Sequence, residues 1–155
     1  MSIKQTVRLD EFHELKSLIA ERQTALRELL DNKQNVLVVG VAPDLERFHD
    51  NTHDALAILD QLEVTRNNGV RVRISGGQQT RLTELSKALS QDASAIATIV
   101  RATSPETFQR SGVPSGPDNH DTTNAVVNPI TAISDAMDLI ASGLNPQKRR
   151  TPATV

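Results

Sequence analysis

The sequence contains no cysteine, no tryptophan and no tyrosine among its 155 residues, and its phenylalanines are Phe12, Phe48 and Phe108. The absence of cysteine excludes disulfide bonds, thiolate metal sites and a cysteine nucleophile. Aromatic residues make up 2% of the chain, which is too few for a platform on which nucleic-acid bases stack. Any contact with a nucleic acid is therefore expected to reach phosphate and sugar rather than bases.

Long hydrophobic runs and a strong charge of one sign are also missing. No apolar segment approaches the roughly 18 residues that span a bilayer, and the start Met-Ser-Ile-Lys-Gln-Thr has no hydrophobic signal region. We therefore expect an intracellular protein of one domain, with no membrane partner. The formal net charge of -2 argues against coating nucleic acid by bulk charge, whereas a local basic groove is compatible with it.

Hydrophobic residues at intervals of three and four predict four helices. We expect the second helix to be capped by Asp44, and Pro129 to mark the start of the fourth with Asn128 as its cap, before Gly143 ends it. The helices are expected over residues 8–31, 44–67, 78–103 and 124–142.

Two short runs predict strands. The first is the β-branched run over residues 35–42, which is followed by Pro43. In the second, over residues 70–74, Arg71 and Arg73 alternate with apolar residues, which predicts a short strand or hairpin edge with both arginines on one side.

Together these elements predict a mainly α fold: a four-helix-bundle-like domain with a small β element and a C-terminal helical extension. The domain organisation follows from where Pro, Gly and polar residues concentrate. We expect a helical core domain over 1–112, a linker over 113–123 within a Pro/Gly/polar stretch that begins near 104, a C-terminal helix over 124–143, and a flexible basic tail over 144–155.

The segment from Thr65 to Arg81 concentrates positive charge between two helices. It contains no acidic residue and three glycines, and its arginines are Arg66, Arg71, Arg73 and Arg81. Because arginine forks match phosphate oxygens, this composition predicts an anion site, most simply a nucleic-acid backbone. Ser75-Gly76-Gly77 is a candidate backbone nest for an anion. In the alternative interpretation, Arg71 and Arg73 protect an edge strand from aggregation and Arg81 is an ordinary residue of a first helical turn.

Chemistry other than anion binding has weaker signals. His49 and His53 are four residues apart on one helix face, as in some zinc sites, and a third ligand would have to come from His13 or from His120 and Asp121. Two surface histidines are the simpler interpretation. No nucleophile, base and acid are arranged for catalysis, so we expect no catalytic residue, no metal and no cofactor.

Asp92 lies on or beside the apolar stripe of the third helix. It is expected either to pair with a cation at the edge of the core or, if it meets a carboxylate of another subunit, to act as a pH switch at that interface.

The order of these elements resembles the coat proteins of rod-shaped, tobacco-mosaic-type plant RNA viruses over about residues 9–112. The resemblance is carried by a helix ending in Thr65-Arg66-Asn67, a basic loop, a long helix bearing Asp92, and the spacing from Thr103 to Phe108, which Gln109-Arg110 follows. It implies a four-helix bundle with a small sheet, in subunits that stack helically and hold RNA between them with arginines.

The resemblance also implies roles for single residues. Arg66 matches the family's arginine after the radial helix, and Arg81 matches the arginines that open the next helix. Asp92 matches the axial or RNA-proximal carboxylates, and Phe108 matches the phenylalanine of the outer loop. The chain departs from the family in having no tryptophan, a shorter loop between the two helices, and an extra helix over 124–142, expected on the outer surface or against a neighbouring subunit.

The expected function is that of a structural capsid or nucleoprotein subunit, located in a virion or in the host cytoplasm. It would polymerise helically and bind the phosphate backbone of single-stranded RNA through Arg66, Arg71, Arg73 and Arg81, with Asp92 as an interface carboxylate. One local cluster of arginines on a mildly acidic chain suits a subunit that covers a few phosphates. Two alternatives stay open: a non-enzymatic helical adaptor in the cytoplasm, and a metal-dependent enzyme built on His49 and His53.

Overall fold

The computed structural model describes residues 5–31, 36–66, 68–102 and 117–144. This part of the chain forms a mainly α fold with a small antiparallel sheet, so the fold class predicted from the sequence is confirmed. Its elements, in chain order, are β1 (Gln5–Arg8), α1 (Phe12–Asp31), α2 (Val36–Gln61), β2 (Glu63–Arg66), β3 (Val70–Ile74), α3 (Gly76–Ala102) and α4 (Pro117–Gly143).

The helices form a bundle in which each packs mainly against two neighbours, in the cyclic order α1, α2, α3, α4. Each contributes one apolar stripe to a shared core, for example Ile19 of α1, Leu89 of α3 and Ile133 of α4. The last helix, which the sequence set apart as an extension, thus packs against its own chain as the fourth member of the bundle. Among the described residues, no helix is long and apolar enough to cross a membrane.

The sheet covers the end of the bundle at which α1 and α3 begin. Its strand order is β1-β3-β2 with both pairs antiparallel, so β3 is the central strand. One row of paired residues, Val7, Val72 and Val64, faces the core. Gly143, at the end of α4, lies at this same end, because a Cβ added there would come within 2.8 Å of Leu9 Cδ1.

The predicted strand over residues 35–42 is wrong, because residues 36–42 belong to α2. A short apolar run does not reveal its own periodicity, and the neighbouring sequence decides here. From Val41, near the end of this run, every third or fourth side chain of α2 is buried, and this spacing forms one apolar stripe along a helix. Pro43 is an exposed residue inside the helix, and Asp44 lies inside it too and is not its cap. The stripe is formed by Val41, Leu45, Phe48, Thr52, Ala55 and Leu59.

Three further boundaries differ from the prediction. The first helix begins at Phe12, because residues 5–8 pair with β3 as a strand. The second ends at Gln61, so Thr65 and Arg66 lie in β2 and not at a helix end. The fourth begins at Pro117 and contains Pro129, so Pro129 does not start it and Asn128 does not cap it. Buried side chains continue on both sides of Pro129, at Val126 and Ile130, and this packing outweighs the missing N–H.

The third helix and the alternating strand agree with their predictions to within two residues. Helix α3 covers Gly76–Ala102, and β3 exposes Arg71 and Arg73 while it buries Val72 and Ile74. Because β3 is the central strand, the interpretation that these arginines protect an edge strand from aggregation is wrong. Thr103, Phe108, residues 113–116 of the predicted linker and the tail from residue 145 lie outside the described residues. Residues 117–123, which the sequence assigned to the linker, belong to α4.

Asp10 connects the first strand to the turn between β2 and β3 through hydrogen bonds. Its Oδ1 atom accepts hydrogen bonds from the Val70 backbone N–H and from Arg8 Nε, both at 3.1 Å. The Leu9 N–H donates to the Val70 carbonyl at 2.9 Å. Asn68 and Gly69 in the turn have positive φ values of 58° and 111°. Gly69 is also crowded, because a Cβ there would lie 2.7 Å from Arg8 Nε and 2.8 Å from Asp10 Oδ1.

We expect Gly69→Ala to destabilise the protein by about 1–3 kcal/mol, because alanine would adopt a strained φ and push into the Arg8–Asp10 pair. The urea midpoint of unfolding measures the change. Gly76→Ala is the matched control, since its Cβ would enter open space at the start of α3. Equal effects of the two substitutions would contradict this account of the turn.

Candidate nucleic-acid interface

The face of the sheet that points away from the bundle is polar and basic. Paired residues of an antiparallel sheet share a face, so the pairs Arg8–Arg71 and Thr65–Arg71 place three side chains in one row. The pairs Thr6–Arg73 and Glu63–Arg73 form the next row. All of these residues are exposed. This surface, called the outer sheet face below, consists of Thr6, Arg8, Glu63, Thr65, Arg71 and Arg73.

The three arginines of the outer sheet face differ in their partners. Arg73 Nη1 lies 3.3 Å from Glu63 Oε2 on the neighbouring strand, and Arg8 Nε lies 3.1 Å from Asp10 Oδ1. The Arg71 guanidinium has no ion-pair partner within the described residues. It is also directly opposite Arg8, and like charges in this position destabilise a sheet. An anion bound at Arg71 would relieve this repulsion.

Arg66 and Arg81, the other two arginines predicted for the site, lie elsewhere. Arg66 pairs with Val70, in a row that alternates with those of the outer sheet face, although it is exposed at the edge of the sheet. Arg81 lies in α3, with its guanidinium 4.0 Å from Asp54 Oδ2 and 3.6 Å from Glu84 Oε2. The structure therefore brings Arg71 and Arg73 together and adds Arg8, which the sequence assigned to a helix.

Ser75 and Gln78 form a capping box at the start of α3. The Gln78 N–H donates to Ser75 Oγ at 3.2 Å, and the Ser75 N–H donates to Gln78 Oε1 at 3.0 Å. The sequence predicts Ser75-Gly76-Gly77 as a candidate nest for an anion, and that prediction does not use the serine–x–x–glutamine spacing that signals a cap. The Gln78 and Ser75 side chains satisfy the backbone N–H groups of Ser75 and Gln78.

Asp92 has a partner in its own chain. Its carboxylate, 17% exposed, accepts two hydrogen bonds from Arg47 of α2, at 3.2 Å from Nε and 3.3 Å from Nη2. Arg47 Nη2 also lies 2.9 Å from Asp44 Oδ1. The pKa of Arg47 is raised, first by the hydrogen bonds to Asp92 and its charge, then by Asp44. The geometry matches the expectation that Asp92 pairs with a cation at the edge of the core.

This ion pair makes the same contribution to stability throughout the neutral pH range. A base whose pKa is raised by folding stabilises the fold at every pH below its unfolded value, and the contribution is lost only as the pH rises through the folded value. For an arginine both values lie far above neutral pH.

His13, His49 and His53 lie on two helices and do not form one cluster of ligands. In α2, His49 is partly buried with Nδ1 3.8 Å from Asp50 Oδ1, whereas His53 is exposed. His13 of α1 packs edge-on against the Phe12 ring, at a centroid distance of 5.8 Å, and its buried Nε2 atom has no hydrogen-bond partner among the described residues. In the described part of the chain, no three His, Cys, Asp or Glu residues are close enough together to hold a metal ion. The side chains of His120 and Asp121 lie outside the description.

Two shallow depressions of about 330 and 300 Å³ follow the groove between α3 and α4. Short hydroxyl and alanine side chains dominate their lining, with Lys87, Asp135 and Asp138 as the charged members. Neither depression is lined by a histidine, so no imidazole base faces the serines there. The outer sheet face is therefore the more distinctive surface of the described residues.

Taken together, fold and surface define a four-helix bundle that carries an arginine-bearing antiparallel sheet at one end. No protein-family model, no curated protein and no solved structure matches the chain.

We expect Ser75→Ala to lower the free energy of unfolding by about 1 kcal/mol, because the Gln78 N–H loses its acceptor. Ser75→Asp is the matched control and should retain most of the stability, since aspartate is an equally good cap. Chemical denaturation measures both. A nest for an anion would behave differently: its donors are backbone N–H groups, so added phosphate would stabilise both the wild-type protein and Ser75→Ala.

Proposed function

We propose that this protein is a structural nucleoprotein subunit that binds the phosphate backbone of single-stranded RNA on its outer sheet face. The observation that carries the proposal is the position of Arg71. It is exposed on the central strand, directly opposite Arg8, without an ion-pair partner in the described residues. Such an arrangement opposes folding in the absence of an anion and favours binding in its presence.

The composition of this surface supports phosphate as its ligand. Arginine forks match the geometry of phosphate oxygens. The outer sheet face has no aromatic side chain on which a base would stack, so contacts to the backbone carry the affinity. Arg8, Arg71 and Arg73 form this site, in place of the four arginines of the sequence prediction. Three cations suit a subunit that covers a few phosphates within a repeating assembly.

The capsid part of the proposal concerns assembly. Subunits that each hold few phosphates gain affinity by binding side by side along one strand, which a head-to-tail helical polymer accomplishes. The four-helix bundle with a small sheet at one end agrees with the fold that the resemblance to rod-shaped virus coat proteins implies. Virion and host cytoplasm are the corresponding locations. The pH switch that Asp92 would form at a subunit interface is not part of the proposal, because Arg47 already binds this carboxylate.

A helical adaptor is the second candidate, and one observation favours it. Ile99 and Leu139, on α3 and α4, are large apolar side chains that remain 47% and 57% exposed. An adaptor would use such residues to bind a protein partner, and the arginines would be dispensable. Replacing Leu139 by Ser should then weaken the binding of that partner while RNA has no role.

We expect Arg71→Thr to weaken RNA binding while it stabilises the fold by about 0.2–1 kcal/mol, because the repulsion from Arg8 is removed. Fluorescence anisotropy with a single-stranded RNA measures affinity against salt, and urea denaturation measures stability. Three phosphate contacts would give a slope of log K against log salt of about -2, which is the upper limit for this site, and the substitution should reduce the magnitude of the slope by about 0.7.

Arg22→Gln is the matched control for this experiment. It removes the same charge from an exposed position of α1, away from the sheet. An equal loss of affinity in the two variants would show that net charge, not the outer sheet face, binds RNA, and the proposed site would be refuted.

Negative-stain electron microscopy with and without RNA tests the assembly. We expect rods that protect the RNA from nuclease, and fewer rods for Arg71→Thr at the same protein concentration. A protein that remains a monomer or dimer with RNA over a range of pH would contradict the capsid role and leave only the adaptor or a solitary RNA-binding module.

A further inference from the structure

The contact between Arg73 and Glu63 gives the outer sheet face an internal competitor for phosphate. Glu63 lies on the edge strand β2, directly opposite Arg73, and the two charged groups are 3.3 Å apart with more than half of each side chain exposed. A phosphate that approaches Arg73 therefore competes with the Glu63 carboxylate for the Nη1 donor of the guanidinium. An exposed pair of this kind is weak enough to be displaced.

The pair formed by Arg8 and Asp10 does not behave in this way. Asp10 Oδ1 also accepts the Val70 N–H at 3.1 Å, and it lies against the crowded Gly69 turn. This carboxylate is fixed by the backbone and remains beside Arg8 whether or not an anion binds. The contact of Glu63 with Arg73, in contrast, joins two exposed side chains, so a bound phosphate can displace Glu63 from this guanidinium.

Arg73 and Arg71 are neighbours on the same face of β3. They are two residues apart on one strand, which separates their Cα atoms by about 6.5–7 Å. An RNA backbone that binds Arg71 therefore reaches Arg73 with an adjacent phosphate. Whether this phosphate binds Arg73 depends on its competition with the Glu63 carboxylate for the guanidinium.

We propose that Glu63 sets the affinity of the outer sheet face for RNA by competing with a backbone phosphate for Arg73. The inference rests on the proposed RNA-binding function and assigns to Glu63 a part in it. The wild-type protein then binds more weakly than its three arginines allow. In a coat subunit this restraint keeps single-site binding weak, so that RNA is held by many subunits in register and released when the assembly opens.

The test is Glu63→Gln, which retains the length and hydrogen-bonding capacity of the side chain and removes its charge. We expect affinity for single-stranded RNA at low salt to rise roughly two- to five-fold, in line with the strength of an exposed ion pair. The slope of log K against log salt should steepen by about 0.7, as one more phosphate contact is made.

Two comparisons separate competition for Arg73 from a general change of charge. Glu84→Gln removes an equal charge from an exposed ion pair on α3, with Arg81, and should leave RNA affinity unchanged. In an Arg73→Gln background, Glu63→Gln should have no effect, because the guanidinium for which it competes is gone. An increase of the same size in that background, or no increase in the wild-type background, would overturn the inference.

The outcomes also distinguish this inference from the function on which it rests. If Arg71→Thr loses RNA binding while Glu63→Gln changes nothing, the role of Glu63 is wrong and the site remains. If neither the wild-type protein nor Glu63→Gln binds RNA at low salt, both proposals are refuted.

Discussion

The pairing of β1 with β3 is the interaction on which the rest of this structure depends. It joins residues more than sixty positions apart and converts a hairpin between two helices into a three-stranded sheet. The valine row of this sheet seals the bundle at the end where α1 and α3 begin. The same pairing places Arg8 opposite Arg71. The strand that covers the end of the core therefore also brings these two arginines together on the outer sheet face.

The sequence revealed the elements whose pattern is local. Helix α3 and strand β3 have clear periods of three to four and of two, and both were located within two residues. Strand β1 has four residues and is defined by a distant partner, so its own residues contain little signal. The run that opens α2 is β-branched and short, and only the spacing from Val41 to Leu59 identifies it as helical. Pro129 suggested a helix start because the packing on both sides of it is a tertiary effect.

The candidate site was likewise predictable only where its pattern is local. Alternation along β3 placed Arg71 and Arg73 on one side, and this is what the structure has. Proximity in sequence grouped them with Arg66 and Arg81, but strand register assigns Arg66 to the other row, and ion pairs with Asp54 and Glu84 hold Arg81 on the bundle. Arg8 joins the site only through register, which no local pattern specifies. The cap formed by Ser75 and Gln78, in contrast, was visible in their spacing.

The close approach of Gly143 to Leu9 has a consequence for the design of fusion proteins and circular permutants. The helices alternate in direction, so the described fold starts in β1 and finishes at Leu144 at the same end of the bundle. A peptide or protein joined directly before β1 or directly after Leu144 would be tethered at the end of the bundle that carries the outer sheet face, and an acidic fusion would raise the local concentration of competing anions there. A circular permutant with its new ends between α1 and α2 would move that attachment point to the opposite end of the bundle.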